Sequence, residues 1–364
     1  MKKSIKDIMI ITMVLILVFT SGCNKTSIGT QVEKKIIALN KPEKEGVFVE
    51  KIDELYVVRY NQDYSMKEFL EKGVSSDEEL IAFFEEQGLN PYKNMLDVMR
   101  RPFSVFCSTY SAINAEGDYI FARNLESGSD SVPILLYTTP SDGYASVSMV
   151  NGLYFGYQNT STSTDEKPML SVPYSPFDGM NEWGLTVASN TTEAFVNSNP
   201  DKTTISSYGA MRLMLDSAKN VEEAISIFEK YNIYFQAEAA IKFIISDASG
   251  KSVLIEYVGD EFIIIENSNP WQIATNFRVS AFENEEEPAR KRVCKRYTQL
   301  FETLEETNGI ISDDEAMKLL KSVAQTFASW SAIYNKSTGE IAVATKTNHK
   351  YNDVKYFKLE MKKN

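Results

Sequence analysis

Beyond residue 107 the chain alternates apolar and polar positions or runs through short apolar stretches. This pattern predicts strands at 132–138, 144–153, 185–189, 241–246, 252–258 and 262–266, several of them separated by Gly or Pro turns. Two blocks switch to helical spacing: 206–231 with a break near Asn220, and 288–307 followed by 313–328. The C-terminus returns to strands at 331–334, 340–345 and 354–359. Ahead of residue 107 the chain is more polar. It carries a strand pair over 46–59 and helices over 65–71 and 77–87, the latter apolar at Leu80, Ile81, Phe83 and Phe84 behind a capping Ser76. No repeat of fixed period and no low-complexity tract interrupts this order. Two groups of strands with two groups of helices between them predict stacked sheets covered by helices, an α+β fold.

The stretch CSTYSAINAEGDYIFARNLE from Cys107 to Glu126 reads as a β-hairpin. Its strands are 107–113 and 119–123, and its turn is Asn114-Ala115-Glu116-Gly117-Asp118. A cysteine opens one strand and Arg123 ends the next, so both side chains fall at the same end of the hairpin. That geometry marks a site.

The chain has 364 residues, 43% of them hydrophobic, enough for one large domain or two small ones. A net charge of −12 with no basic stripe argues against nucleic-acid binding. Residues 1–23 read as a targeting segment: Lys2, Lys3 and Lys6 precede an apolar run at 8–19, too short to span a bilayer. It ends Thr20-Ser21-Gly22-Cys23, which resembles a bacterial lipobox with Thr20 in place of the usual leucine. A lipid-anchored exported protein tethered through Cys23 and residues 24–30 is therefore expected, with ordinary secretion as the alternative. If Cys23 carries lipid, Cys107 and Cys294 remain. A disulfide between them is the bland reading, weighed against Cys107 lying in a motif and Cys294 in a basic helical run.

A cysteine that attacks an amide needs a base. The single histidine, His349, lies in a polar loop and reads as a solvated residue, and no CxxC or HExxH spacing offers a zinc site. No cofactor is called for. If the chain is cut between Phe106 and Cys107, the freed α-amine, with an unperturbed pKa of about 8, accepts the thiol proton. Arg123 nearby favours the thiolate. The preceding residues, 24–106, then read as a tether and a pro-segment or N-terminal subdomain, and 107–364 as the catalytic domain.

The hairpin resembles the opening of the mature chain in the choloylglycine hydrolase family, the linear-amide C–N hydrolases that include penicillin V acylases and are relatives of acid ceramidase. In that family an initial Cys is followed sixteen positions later by Arg-Asn-x-Asp. Here 123 − 107 = 16, and the run is Arg123-Asn124-Leu125-Glu126, with Glu126 where the family has Asp. The resemblance covers roughly residues 107–361 and implies the four-layer αββα sandwich of the N-terminal nucleophile hydrolases. Further motifs follow in family order. Asp178 to Leu185 resembles the Gly-Met-Asn-Glu-Lys-Gly-Leu turn, with Trp183 in place of lysine. The next strand carries the family's oxyanion position, at Thr191 without a gap or Asn190 with a one-residue shift. Thr275-Asn276 resembles the Thr-Asn motif whose asparagine completes the oxyanion hole, and Cys294-Lys295-Arg296-Tyr297 points to Arg296 as the last site arginine, with Arg292 and Arg290 as alternates. The closing motifs 329–335 and 354–359 are read as structural, with Trp330 packed.

The implied enzyme is an exported cysteine amidohydrolase that works through a thioester. Cys107 attacks, its amine relays the proton, and Arg123 and Glu126 organise both. Asn190 or Thr191 with Asn276 holds the oxyanion, while Arg296 steadies the network or binds a polar end of the substrate. Transfer of the acyl group to an amine is a variant of the same chemistry. The partner is a small-molecule amide, with the membrane reached through the lipid anchor and homo-oligomerisation left open. The extra methylene of Glu126 shifts its carboxylate by about an ångström, a displacement that can cost roughly a hundredfold in rate. That departure supports the rival class, a surface lipoprotein that binds acyl or steroid-like ligands without turnover. Phe103, Tyr154, Phe155, Tyr157, Tyr174 and Phe177 are read as lining an apolar pocket or as core.

Overall fold

A computed structural model describes residues 34–89, 106–128, 130–157, 166–193, 199–259, 261–282 and 293–362. The targeting segment with Cys23, the tether, Phe103, Arg290 and Arg292 lie outside these residues. The N-terminal part contributes β1 (Ile36–Leu39), β2 (Gly46–Ile52), β3 (Leu55–Asn61), α1 (Met66–Lys72) and α2 (Asp77–Glu86). The hairpin strands β4 (Phe106–Ile113) and β5 (Tyr119–Glu126) follow, then β6 (Pro133–Thr138), β7 (Ser146–Asn151), β8 (Asp178–Asn181) and β9 (Thr186–Thr191). Next come β10 (Thr204–Ser206), α3 (Ser207–Ser217), α4 (Val221–Lys230), β11 (Asn232–Tyr234), β12 (Ile241–Ser246), β13 (Ser252–Val258), β14 (Glu261–Glu266) and β15 (Gln272–Ala274). The chain closes with α5 (Lys295–Glu306), α6 (Asp313–Val323), β16 (Ala328–Asn335), β17 (Glu340–Thr347), β18 (Lys350–Tyr351) and β19 (Lys355–Leu359).

One sheet runs β1-β19-β17-β16-β5-β4-β15, with β18 on β17, and the second runs β14-β13-β12-β9-β8-β7-β6-β3-β2. Helices α5 and α6 cover the first sheet over β4, β5, β15 and β16, while α3 and α4 cover the second over β8, β9 and β12. The sheets face each other at β4 and β9. This is a four-layer αββα sandwich, the layer order expected. Alternation along the strands builds it: on β4 and β5, Cys107, Phe121 and Leu125 point into the core between the sheets, and Tyr110, Ala112, Ile120 and Ala122 point towards α5 and α6.

The helical blocks obey their caps. Asn220 breaks the first block by capping α4, its side chain accepting from Glu223 N, and Ser312 opens α6 with a capping box closed by Glu315. The helix expected over 313–328 ends at Val323, and Ala328 already starts β16. Ladders to β5 on one side and β17 on the other fix residues 328–335 as strand, and two sets of pairing override local helix propensity. Residues 178–181, expected as a turn, form β8 between β7 and β9 for the same reason. The described part of the 288–307 helix begins at Lys295, with Cys294 as its N-cap.

The segment ahead of Phe106 enters both sheets. β1 pairs in parallel with β19, and β3 pairs in parallel with β6. Leu55, Val57, Val58, Phe69, Leu80, Phe83 and Phe84 are buried, at about 1.5–3 kcal/mol each. Polar contacts add direction: Tyr64 donates to Asp216 at 2.5 Å, and Tyr234 donates to Asp77.

Candidate active site

The hairpin turn follows from its residues. Asn114 Oδ1 accepts from Glu116 N and Asp118 N at 3.1 and 2.8 Å, and Gly117 sits at φ +89°, a conformation that favours glycine. This sets the register Phe106↔Glu126, Cys107↔Leu125, Ser108↔Asn124 and Thr109↔Arg123. With a side-chain period of two, Cys107, Thr109 and Arg123 share the face towards the second sheet. Ser108, Asn124 and Glu126 share the face towards the helices.

On the inner face Arg123 is fully buried. Its Nη1 donates to Thr109 Oγ1 at 3.1 Å and Asn190 Oδ1 at 3.3 Å, and its Nε lies 3.6 Å from Asp178 Oδ2. Asp178 is held by Trp330 Nε1 at 3.1 Å and Tyr334 OH at 2.5 Å, so a residue of β8 and two of β16 fix the guanidinium between the sheets. Asn190 Nδ2 donates to Ala274 O at 3.2 Å. The Asn190 side chain thus braces Arg123, Thr109 and β15, whereas the backbone N–H of Thr191 is directed at the Cys107 thiol.

Asn276 joins the two sides. Its Oδ1 accepts from Cys107 N at 2.7 Å and from Arg296 Nη2 at 2.9 Å, and its Nδ2 donates to Thr191 Oγ1 at 2.6 Å and Thr191 O at 2.9 Å. Arg296 stands in the first turn of α5, where the helix dipole disfavours a cation, so its placement answers to the site rather than to the helix. Its Nη1 donates to Cys107 O and to Ser108 Oγ (2.9 Å), and lies 3.8 Å from Glu126 Oε2. The guanidinium also lies over the Phe106 ring, 5.6 Å from its centroid.

Burial pushes the Cys107 thiol above its ordinary range. Arg123 and Arg296 and the Thr191 N–H pull the other way, and Glu126 adds to the rise. Glu126 is fully buried, accepts from Gln325 N at 3.4 Å, and is pushed up to about 7 by burial against the pull of Arg296. Asn124, adjacent in the motif, is committed elsewhere, donating to Leu320 O and accepting from Ser331 Oγ.

All seven residues singled out in the sequence lie at this end of the hairpin: Cys107, Glu126, Thr191, Asn276 and Arg296 in one set of contacts, and Arg123 and Asn190 in a second on the inner face. Residues 107–278 match the model of the linear amide C–N hydrolases, choloylglycine hydrolase family. Over those residues the chain is similar to that family. By that match the chain is a hydrolase of linear amide C–N bonds. Solved structures similar to it include the penicillin V acylase from Agrobacterium tumefaciens, at 16% identity and TM-score 0.49, covering 70% of this chain and 86% of that one. A variant of the conjugated bile acid hydrolase from Clostridium perfringens aligns at 15% identity and TM-score 0.48, covering 71% and 99%. The Caenorhabditis elegans N-acylethanolamine-hydrolyzing acid amidase ortholog aligns at 13% and 0.43, covering 63% and 93%. A search among curated proteins found no match.

Cys107 and Cys294 are both free thiols, which removes the disulfide reading, and His349 is exposed with Nδ1 3.1 Å from Thr326 O. The aromatic set divides. Tyr154 and Phe177 form a cluster with Tyr208 and Trp330 on the thiol side of the core, with centroid separations of 5.1–6.2 Å about Phe177. Tyr174 instead packs with Phe69, Phe83 and Phe84 of the N-terminal helices as core. Sequence reading passed over Thr109 and gave Asp178 no role. The single charge in the run Asp178-Gly179-Met180-Asn181 is the signal that would have raised Asp178.

Proposed function

We propose that this choloylglycine hydrolase-family enzyme matures by cleavage of the Phe106–Cys107 bond and then hydrolyses an apolar N-acyl amide through a Cys107 thioester. The observation that carries the reading is the double grip on Cys107: Asn276 Oδ1 accepts from its N–H, and Arg296 donates to its C=O. In processing, the thiol adds to the Phe106 carbonyl, the Cys107 nitrogen leaves as a free amine, and water hydrolyses the resulting thioester. Glu126, the register partner of Phe106, supplies the carboxyl group of this step. The freed amine then accepts the thiol proton, which the raised thiol pKa otherwise retains.

In turnover the thiolate attacks the substrate carbonyl, and the tetrahedral oxygen is held by the Thr191 N–H and by Asn276 Nδ2, which gives up one of its two hydrogen bonds to Thr191 for it, each donor worth roughly 3–4 kcal/mol. The leaving amine takes the proton from the Cys107 amine, and water releases the acid and regenerates the thiol. The aromatic cluster around Phe177 favours an apolar acyl group. Residues 1–23 direct export, and Cys23 carries the lipid anchor.

The test is intact mass and N-terminal sequencing of wild type and Cys107→Ala, followed by mass detection of an acyl adduct on Cys107. A fragment beginning at Cys107 in wild type alone, with an acyl adduct under substrate, is the expected result. An uncut wild-type chain that forms no adduct refutes the mechanism and leaves the ligand-binding lipoprotein as the better reading.

A further inference from the structure

β15 pairs with β4 only as far as Ala274↔Thr109, so Asn276 stands on backbone that has already left the ladder. An oxyanion donor on irregular backbone needs another means of being held, because a displacement of about an ångström can cost roughly a hundredfold. Behind this backbone lies a buried ion pair, Lys242 of β12 and Glu256 of β13, with Nζ and Oε1 3.3 Å apart and both side chains essentially without exposure. Lys242 is also the register partner of Asn190.

The pair is directed at the segment that follows Asn276. Lys242 Nζ donates to Phe277 O and lies over the Phe277 ring at 5.3 Å. Glu256 Oε1 accepts from Val279 N at 2.8 Å and its Oε2 accepts from Ser280 N at 2.9 Å. Three backbone groups within four residues are thereby fixed by two charges. Stability does not account for them: burying each ion costs several kcal/mol, and well-packed apolar residues of the same volume serve a fold equally well. What an apolar pair cannot supply is direction, one donor and two acceptors at set positions.

We propose that Lys242 and Glu256 are positioning residues that set the place of the Asn276 carboxamide during turnover; the inference rests on Asn276 being an oxyanion donor. The test is a double-mutant cycle on the full chain, joining Asn276→Ala to Lys242→Met/Glu256→Gln. A fluorogenic amide of an apolar acyl group with aminomethylcoumarin is the substrate, and kcat is normalised to the fraction of chains beginning at Cys107. In the wild-type background Asn276→Ala is expected to lower kcat by about 10²–10³-fold. In the Lys242→Met/Glu256→Gln background the same substitution is expected to cost less than about tenfold, since the donor is already misplaced. Where that background fails to unfold cooperatively, Glu256→Asp replaces it, keeping the ion pair while drawing the carboxylate away from Val279 and Ser280. Equal losses in both backgrounds overturn the positioning role alone, because a merely structural pair leaves the Asn276 contribution intact. An inert wild type, or an Asn276→Ala variant with unchanged kcat, overturns the reading of the site and this inference with it.

Discussion

Glu126→Gln should remove a pH-dependent instability that the wild-type site carries. The Glu126 carboxyl is buried on the helix-facing side of the hairpin, and burial raises it from 4.5 to about 7. Between those values the folded chain binds more protons than the unfolded chain, so this group stabilises the fold fully below pH 4.5. The stabilisation is lost as pH rises through 7. A rise of this size corresponds to a change on the order of 3 kcal/mol between pH 4 and pH 8.5. Glutamine has the same shape and does not titrate, so it lacks this slope. Denaturant unfolding of Cys107→Ala and Cys107→Ala/Glu126→Gln at a series of pH values isolates the effect, because every other titration is common to both chains. The difference in unfolding free energy should shift by about 3 kcal/mol in favour of glutamine from pH 4 to pH 8.5, with its midpoint between pH 4.5 and 7. A constant difference across that range would refute the account of Glu126 as a carboxyl held protonated by burial.

Asp178→Asn leaves the buried Arg123 guanidinium without its counter-charge, and a loss of about 3–5 kcal/mol in denaturant unfolding is expected. Thr109→Val removes one of two acceptors of Arg123 Nη1 and should cost about 1–3 kcal/mol, read in the same way. If the Phe106–Cys107 bond is cut as proposed, the pairing of β1 with β19 and β3 with β6 should hold β1 to β3 and helices α1 and α2 in place. A denaturing gel should therefore show two fragments where native mass spectrometry shows one particle containing both. Separation of the fragments under native conditions would contradict the packing described for β3.

Much of the site was legible because its chemistry is local to one hairpin. The spacing of Cys107 and Arg123 across a Gly-containing turn forces both onto one strand face, and a period of two in the pleat needs no tertiary knowledge. The strands 241–246 and 252–258 were legible for the same reason, since their apolar runs have one buried solution. The end of α6 was not legible. Residues 324–328 continue a helical composition, and only the double ladder of β16 decides against it.

By itself the sequence determined the hairpin, its turn, the cap at Ser76, the helix break near Asn220, and the residue types able to act on an amide without histidine. Tertiary structure alone decided how those residues are used. Asn190 and Thr191 are neighbours on one strand, so their side chains point to opposite faces, and only the packing of β9 against β4 turns the Asn190 side chain to Arg123 and the Thr191 N–H to the thiol. Glu126 is an ordinary charged residue in the sequence. Its raised carboxyl exists because β5 buries it under α6 and beside Arg296, an environment assembled from residues about 170 to 200 positions away.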